Sequence, residues 1–291
     1  AGRAARRSRG SATRPMTDAL VQFGGSTLQH GPNSRRVYLM KLDPADLPGL
    51  HDEIERLVRD NAYGKVFAKV PEPAADSFLE RGYREEARIP GYFHGDTDAL
   101  LLGWFADPDR AMDRDAEQTR AVLDAALAKT PLAPKPGAAL FDVRPLEPAD
   151  CPALAELYRA TFPSYPFPIT NPAYLKETMA SHIAYFGAFD GPLLVAASSA
   201  ECDLDARAAE MTDFATAPEC RGKGLARHLL DCMEAAIAPR GFRTAYTIAR
   251  ANSFGMNLAF ARAAYRFGGT LVNNTGIGGG IESMNVWHKT L

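Results

Sequence analysis

Residues 216–227, Thr-Ala-Pro-Glu-Cys-Arg-Gly-Lys-Gly-Leu-Ala-Arg, restrict the fold of this chain more than any other stretch. A strand-like run over 209–216 precedes the turn. A helical run over 225–237 follows it, with Leu225, Leu229, Leu230, Met233 and Ile237 on one apolar face. The segment therefore reads as strand, turn, helix. Gly222 and Gly224 let the backbone turn tightly beside a ligand, and the first N–H groups of a helix lack internal partners, so the turn suits an anion. It lacks the Gly-x-x-x-x-Gly-Lys-Ser/Thr order of a nucleotide P-loop, and Arg227 stands where a dinucleotide fingerprint needs a third glycine. A Gly-Lys-Gly turn alone also fits an ordinary helix start, so its surroundings must decide.

With 291 residues, 46% of them hydrophobic, and a formal charge of -2, the chain is long enough for two cores and has no overall bias toward nucleic acid or acidic partners. The longest apolar runs, over 192–200 and 100–105, fall well short of the roughly 18–20 residues of a membrane span. A cytoplasmic protein that binds neither membrane nor nucleic acid is expected. Cys151, Cys202, Cys220 and Cys232 show neither zinc spacing nor a disulfide framework, and His182, His228 and His288 lack metal-ligand spacing, so no metal is expected. Arg3, Arg6, Arg7, Arg9 and Arg14 crowd the start without aromatic interleaving. We read residues 1–16 as a disordered or over-called N-terminus ahead of Met16.

From Arg36 onward, patterning predicts a strand over 37–42, a helix over 46–60, a strand over 64–70, a short helix over 74–81, a strand over 83–89 ended by Pro90-Gly91, and a strand over 100–105. A charged helix over 109–129 leads to a proline-rich linker at 131–138. Two parts follow, 17–130 and 139–291. The second part reads as a strand over 140–146, helices ending near 158 and 181, strands over 183–189 and 193–199, an acidic bend over 201–205, the strand before the turn, and the helix after it. A strand over 244–250, a helix over 253–265 and two closing strands, 270–275 and 281–288, complete it.

This element order, with Arg221, Gly224 and Ala226 in the turn, resembles the GNAT superfamily of N-acetyltransferases across 140–291. The segments Glu210-Met211-Thr212-Asp213-Phe214-Ala215-Thr216, Thr247-Ile248-Ala249-Arg250-Ala251, Gly255-Met256-Asn257, Asn273-Asn274-Thr275 and Ile281-Glu282-Ser283-Met284-Asn285-Val286-Trp287 resemble the β-lysine N-acetyltransferase family within it. So do Arg36-Val37-Tyr38-Leu39-Met40-Lys41 and Phe67-Ala68-Lys69-Val70-Pro71 in the first part. The resemblance implies an α/β (mixed α+β) GNAT acyltransferase fold with a central mixed sheet, preceded by a smaller α/β domain like a degenerate half-GNAT without a glycine loop. It also implies acetyl-CoA as cosubstrate and acetylation of the side-chain amine of β-lysine to N-ε-acetyl-β-lysine, a compatible solute. Lysine 2,3-aminomutase is then the pathway partner, and the small-molecule amine is the binding partner. A homodimer is compatible with the sequence. Alternative acceptors are another small amine, an aminoglycoside or a protein lysine, and a non-catalytic CoA-binding module is the alternative of another class.

An alkylammonium with a pKa near 10.4 must lose a proton before it attacks a thioester, so the site needs a base, an oxyanion donor and help for the departing thiolate. Glu210 is the first candidate base and Asp213 the other catalytic candidate; strand alternation puts Asp213 on the opposite face, so one of the two is expected to reach the site. The resemblance assigns the pyrophosphate to Arg221, Gly222, Lys223, Gly224, Leu225 and Ala226, backbone contacts to Phe214, Ala215 and Thr216, and the CoA arm to Asn257 as well. The position of the thiolate-protonating tyrosine falls on Ala264. Tyr265 is next door, about 100° away on a helix, and is the candidate acid. Glu282, Asn273 and Asn274 are candidate polar contacts to the substrate, with Tyr165, Phe167 and Trp287 as candidate walls of an amine channel.

Overall fold

The computed structural model describes residues 18–132, 141–163 and 165–291. The expected N-terminal tail and residues 133–138 of the expected linker lie outside these. Among the described residues, thirteen strands form one mixed sheet in the order β1(Ala19–Phe23), β2(Ser26–Gly31), β3(Arg36–Lys41), β4(Lys65–Pro71), β6(Thr97–Phe105), β5(Arg84–Phe93), β12(Arg266–Ile277), β13(Gly280–Thr290), β11(Thr244–Arg250), β10(Ala208–Thr216), β9(Leu193–Asp203), β8(Ile183–Asp190) and β7(Asp142–Pro145).

The order is symmetric about its middle. From β1 to β5 the strands follow the same sequence of neighbours as from β8 to β12, with β3 parallel to β4 as β10 is parallel to β11, and the two runs meet antiparallel at Ala87 and Gly269. The first part therefore repeats the strand topology of the second, and it includes the hairpin β1–β2, which lies ahead of the patterned region. That hairpin escapes a periodicity reading because β1 is exposed at three of its five positions and half-buried at the other two, so it has no buried face to mark it.

The helices take their positions from their apolar stripes. α1(Leu47–Asn61) buries Leu50, Ile54, Leu57 and Val58 against Val37, Leu39, Val66 and Leu102 on one face of the first part. α6(Leu225–Ile237) buries the predicted Leu225, Leu229, Leu230, Met233 and Ile237 against Ala209, Met211 and Ala245 of the second part. Each such side chain contributes about 1.5–3 kcal/mol on leaving water. α3(Ala116–Leu127) and α7(Phe254–Arg262) lie on that same face, while α4(Cys151–Thr161) and α5(Pro172–Met179) cover the other.

Several boundaries differ from expectation. β5 continues through Pro90-Gly91 to Phe93, because Gly91 at φ 62° makes a bulge instead of a break. The helix expected from 109 starts at Ala116, since Asp107 caps a separate 3-10 turn at Pro108–Ala111 that an extended Met112 ends. The acidic bend is largely strand, as β9 carries Glu201 through to Asp203. α7 stops at Arg262, and Ala264 in the left-handed region directs Tyr265 away from the helix.

A third core joins the two parts. It contains Tyr38 and Phe67 from β3 and β4 together with Tyr246 and Val286 from β11 and β13. β4 and β11 are five strand spacings apart in the sheet, about 24 Å if it were flat. Yet the Lys69 ammonium of β4 lies 5.9 Å from the Tyr246 ring. The sheet therefore curls, and its concave face closes around side chains from both parts.

Candidate active site

β10 and β11 run parallel and pair at Ala208–Thr244, Ala209–Ala245 and Glu210–Tyr246, and their pairing ends there. Residues 211–216 consequently present a strand edge that β11 does not cover. At the same level the pairing of β10 with β9 shifts between Thr212 and Ala215, leaving Asp213 and Phe214 as a bulge with Asp213 at φ 56°. Two parallel strands thus part beside a bulge, the arrangement that an extended ligand pairing with the β10 edge requires.

The bulge corrects one expectation. Strict alternation separates Glu210 from Asp213, but the inserted residue shifts the phase by one, so both point to the concave face. Ser199, opposite Thr212 on β9, donates to Asp213 Oδ2 at 2.6 Å, and the Tyr165 hydroxyl donates to Asp213 Oδ1. Phe214 turns the other way onto Phe260, with ring centroids 5.6 Å apart.

Glu210 sits directly opposite Glu201 on β9. Burial and then the charge of Glu201 push its carboxyl up to about 8, against downward pulls from Lys69 and from a hydrogen bond of the Tyr246 hydroxyl. Glu201 is raised by burial and by Asp213, while His182 and Lys69 act in the opposite sense. Burial also raises Asp213, opposed by its two hydroxyl donors. Carboxyls this close do not all ionise readily, so the cluster holds a proton near neutral pH and can pass it on.

At the other end of β10 the turn has the form expected of it. Gly222 and Gly224 take φ 77° and 82°, and a Cβ on either would meet nothing within 4 Å. Gly224 starts α6 without a side-chain cap, leaving the first helical N–H groups facing open space. Arg221 folds back to donate to the Thr216 carbonyl, and Lys223 reaches over the Phe141 ring. Leu225 is core, and Ala215 is buried while Ala226 is half-buried. The turn thus keeps open space beside its two glycines, as an anion seat on backbone N–H groups requires.

Other sequence candidates fall elsewhere. Asn257 is fully buried: Nδ2 donates to the Arg250 and Ser253 carbonyls, and Oδ1 accepts from Asn285 and Trp287. With its amide saturated it pins α7 to β13 and has no group left for a CoA arm. Trp287 is 1% exposed and cannot wall a channel. Tyr265 packs on Phe260 and near Glu234 on the α6 side of the sheet, across from Glu210, so it is core and not an acid at this site. Asn273 donates to the Arg110 and Met112 carbonyls, and the Asn274 carbonyl accepts from Arg36, which makes both residues part of the joint between the two parts. Glu282 shares the concave face but binds Arg250 with both oxygens. Tyr165 and half-buried Phe167 come from the segment before α5, and Tyr165 alone of the two touches the cluster.

The side chains missed by sequence reasoning are Glu201, Tyr246 and Lys69. Ser199, Glu201 and Asp203 share a face at a period of two, a signal hidden when this stretch is taken for a bend. Nothing local marks Lys69, which reaches the site only through the curl of the sheet.

The acetyltransferase (GNAT) family profile matches residues 151–268. The chain is 34% identical over 275 residues to the β-lysine N(6)-acetyltransferase of Methanococcus maripaludis, covering 94% of this chain and 98% of that protein. It is 29% identical to the N-acetyltransferase YodP of Bacillus subtilis, over 91% of this chain and 96% of that one. The β-lysine N(6)-acetyltransferase of Methanosarcina mazei is 41% identical over 151 residues, 52% of this chain and 56% of its own length. A likeness that runs through both parts of the sheet, joined to a split strand pair and an open glycine turn, shows that the chain belongs to the β-lysine N-acetyltransferase family of GNAT enzymes and transfers an acetyl group to an amine.

Proposed function

We propose that the protein transfers the acetyl group of acetyl-CoA to the side-chain amine of β-lysine, making N-ε-acetyl-β-lysine. The observation that carries this reading is the Glu201–Glu210 pair at the point where β10 and β11 part, because carboxylates there face the place where an amine must meet a thioester. The names of the relatives from Methanococcus maripaludis and Methanosarcina mazei support β-lysine as acceptor.

On this reading the glycine turn holds the pyrophosphate through its backbone, and the open edge of Phe214, Ala215 and Thr216 binds the pantetheine arm and the carbonyl oxygen. Glu210 takes a proton from the substrate ammonium. The freed amine nitrogen forms the new bond to the carbonyl carbon, and CoA leaves as its thiol once a proton reaches the sulfur. Asp213, held by Ser199 and Tyr165, keeps the bulge in shape beside the base. Residues 17–130 and 139–291, joined by 131–138, work as two parts of one site in the cytoplasm. The pathway partner is lysine 2,3-aminomutase and the product serves as a compatible solute.

CoA release measured with acetyl-CoA and a panel of β-lysine, α-lysine, simple diamines and an aminoglycoside tests the proposal. It expects the highest kcat/KM with β-lysine. Preference for another amine overturns the acceptor, and no turnover with any amine despite acetyl-CoA binding overturns the catalytic reading.

A further inference from the structure

Lys65, Arg36 and Lys69 face the concave side from β4 and β3, and Arg110 of the 3-10 turn joins them; all of these but Lys69 bond to carbonyls or to a carboxylate. Lys65 donates to Glu86 and to the Val272 carbonyl, each at 2.6 Å. Arg110 is bonded to the carbonyls of Ser34, Arg35 and Asn273, and Arg36 donates to the Asn274 carbonyl while stacking over Tyr38 and Phe67. Lys69 is different. Among the described residues its ammonium donates one hydrogen bond, to the Tyr92 hydroxyl at 2.6 Å, and forms no ion pair within 4.0 Å. An ammonium has three donors, so this one retains capacity for a ligand.

Its surroundings say which ligand. The ammonium stands 4.7 Å from the Tyr92 ring and 5.9 Å from that of Tyr246, the cross-strand neighbour of Glu210. Tyr92 in turn donates to Asp203 at 3.1 Å. Burial lowers the pKa of Lys69, and Asp203, Glu210 and Glu201 hold it up through space. One wall of the cleft is therefore acidic, contributed by β9 and β10. The facing wall, from β4, holds Lys69, bonded to a single neutral hydroxyl, and β3 adds Arg36, whose buried Nε has no hydrogen-bond partner among the described residues. This polarity matches a molecule with an ammonium at one end and a carboxylate at the other.

We propose that Lys69 binds the carboxylate of the acceptor and makes the enzyme select an amino acid over a simple diamine. The inference rests on the acetyl-transfer reading above and deepens it: the first part of the chain, which has no glycine loop of its own, supplies the acceptor's carboxylate site. Tyr92 is the positioning residue that holds the ammonium in place.

The test compares β-lysine with 1,4-diaminopentane, the same diamine without its carboxylate, in the wild type and in Lys69→Met, Lys69→Arg and Tyr92→Phe, with acetyl-CoA affinity measured by calorimetry to establish that each variant is folded. A charge-assisted hydrogen bond of the ordinary size implies that Lys69→Met reduces the β-lysine to diaminopentane ratio of kcat/KM by about 10- to 100-fold, mainly through the KM for β-lysine. Lys69→Arg should restore part of the ratio, and Tyr92→Phe should lower it several-fold. Equal losses on both acceptors, or no loss on either, overturn the inference while leaving the acetyl-transfer reading intact. A wild-type enzyme that acetylates neither amine overturns that reading, and this inference with it.

Discussion

The two parts of the sheet share a strand order, and they differ most where their parallel strands hand over to a helix. In the second part the link from β10 to α6 ends in Gly222 and Gly224, whose surroundings are empty. In the first part the link from β3 to α1 is an Asp-Pro turn. Asp46 accepts from the Gly25 and Ser26 N–H groups and the Ser26 hydroxyl, Asp43 caps Ala45, and a Cβ on Gly24 or Gly25 would run into those carboxylates at 2.0–2.2 Å. Negative side chains fill the space beside this turn that stays empty beside the glycine turn of the other part. The strands differ in the same sense: the third pair in β3–β4 is Tyr38 stacked on Phe67 at 4.4 Å, whereas the third pair in β10–β11 is Glu210 beside Tyr246, where the strands separate. One topology yields a closed wall in one copy and an open slot in the other, and the difference lies in a few side chains at the same two places.

The largest expected effect is on the open copy. Glu210→Gln removes the proposed base and keeps the shape, so kcat should fall by about 10²- to 10⁴-fold while acetyl-CoA affinity is retained. Steady-state CoA release with a parallel calorimetric titration measures both. The next tests the closed copy and its joint to the other. Lys65→Met leaves the enclosed Glu86 carboxylate with only the half-exposed Arg84 at 3.9 Å, and because breaking a buried pair costs about 3–5 kcal/mol, urea unfolding should show a loss approaching that size. A loss below about 1 kcal/mol contradicts the view that Lys65, bonded to Glu86 and across the seam to the Val272 carbonyl, secures the joint.

A smaller effect should follow from giving the open turn the chemistry of the closed one. Gly224→Asp tolerates the left-handed backbone but puts a carboxylate at the helix start, so the KM for acetyl-CoA should rise by on the order of 10-fold. Gly224→Asn, equally permitted there and neutral, should change it by less than about 3-fold. If both variants behave alike, the site does not depend on charge. Smallest of all, Asp46→Asn should cost about 1 kcal/mol of stability and leave acetyl-CoA kinetics unmoved, since the first copy holds no phosphate in this account.

Much of this contrast is legible in the sequence, for definite reasons. α6 and β11 are both strongly patterned and bounded by glycine or extended residues, and their predicted limits agree with the structure. The glycine turn is local chemistry, so it too can be read directly. The site around it is not local. Asp213 joins Glu210 only because a bulge resets the alternation of β10, and one inserted residue leaves no mark in a period-two pattern. Lys69 and Glu201 lie 132 positions apart in the chain, and a curl of the whole sheet brings them to one cleft. Asn257, Asn273 and Trp287 show the converse. Asn257 is expected at a ligand from the resemblance and the other two from the needs of a diamino acid substrate, and each is already saturated by or buried among its own neighbours.

On the proposed mechanism the open copy works through a carboxylate whose proton affinity is raised by burial and by Glu201. The most direct test of that mechanism is the pH dependence of kcat for the wild type and for Glu210→Gln with saturating acetyl-CoA and β-lysine. A base acts when deprotonated, and the Glu210 carboxyl is pushed up to about 8, so the wild-type rate should be low at pH 6, rise through pH 8 and level off above it. Glu210→Gln should lack that inflection. Profiles of the same shape for both proteins would contradict the assignment.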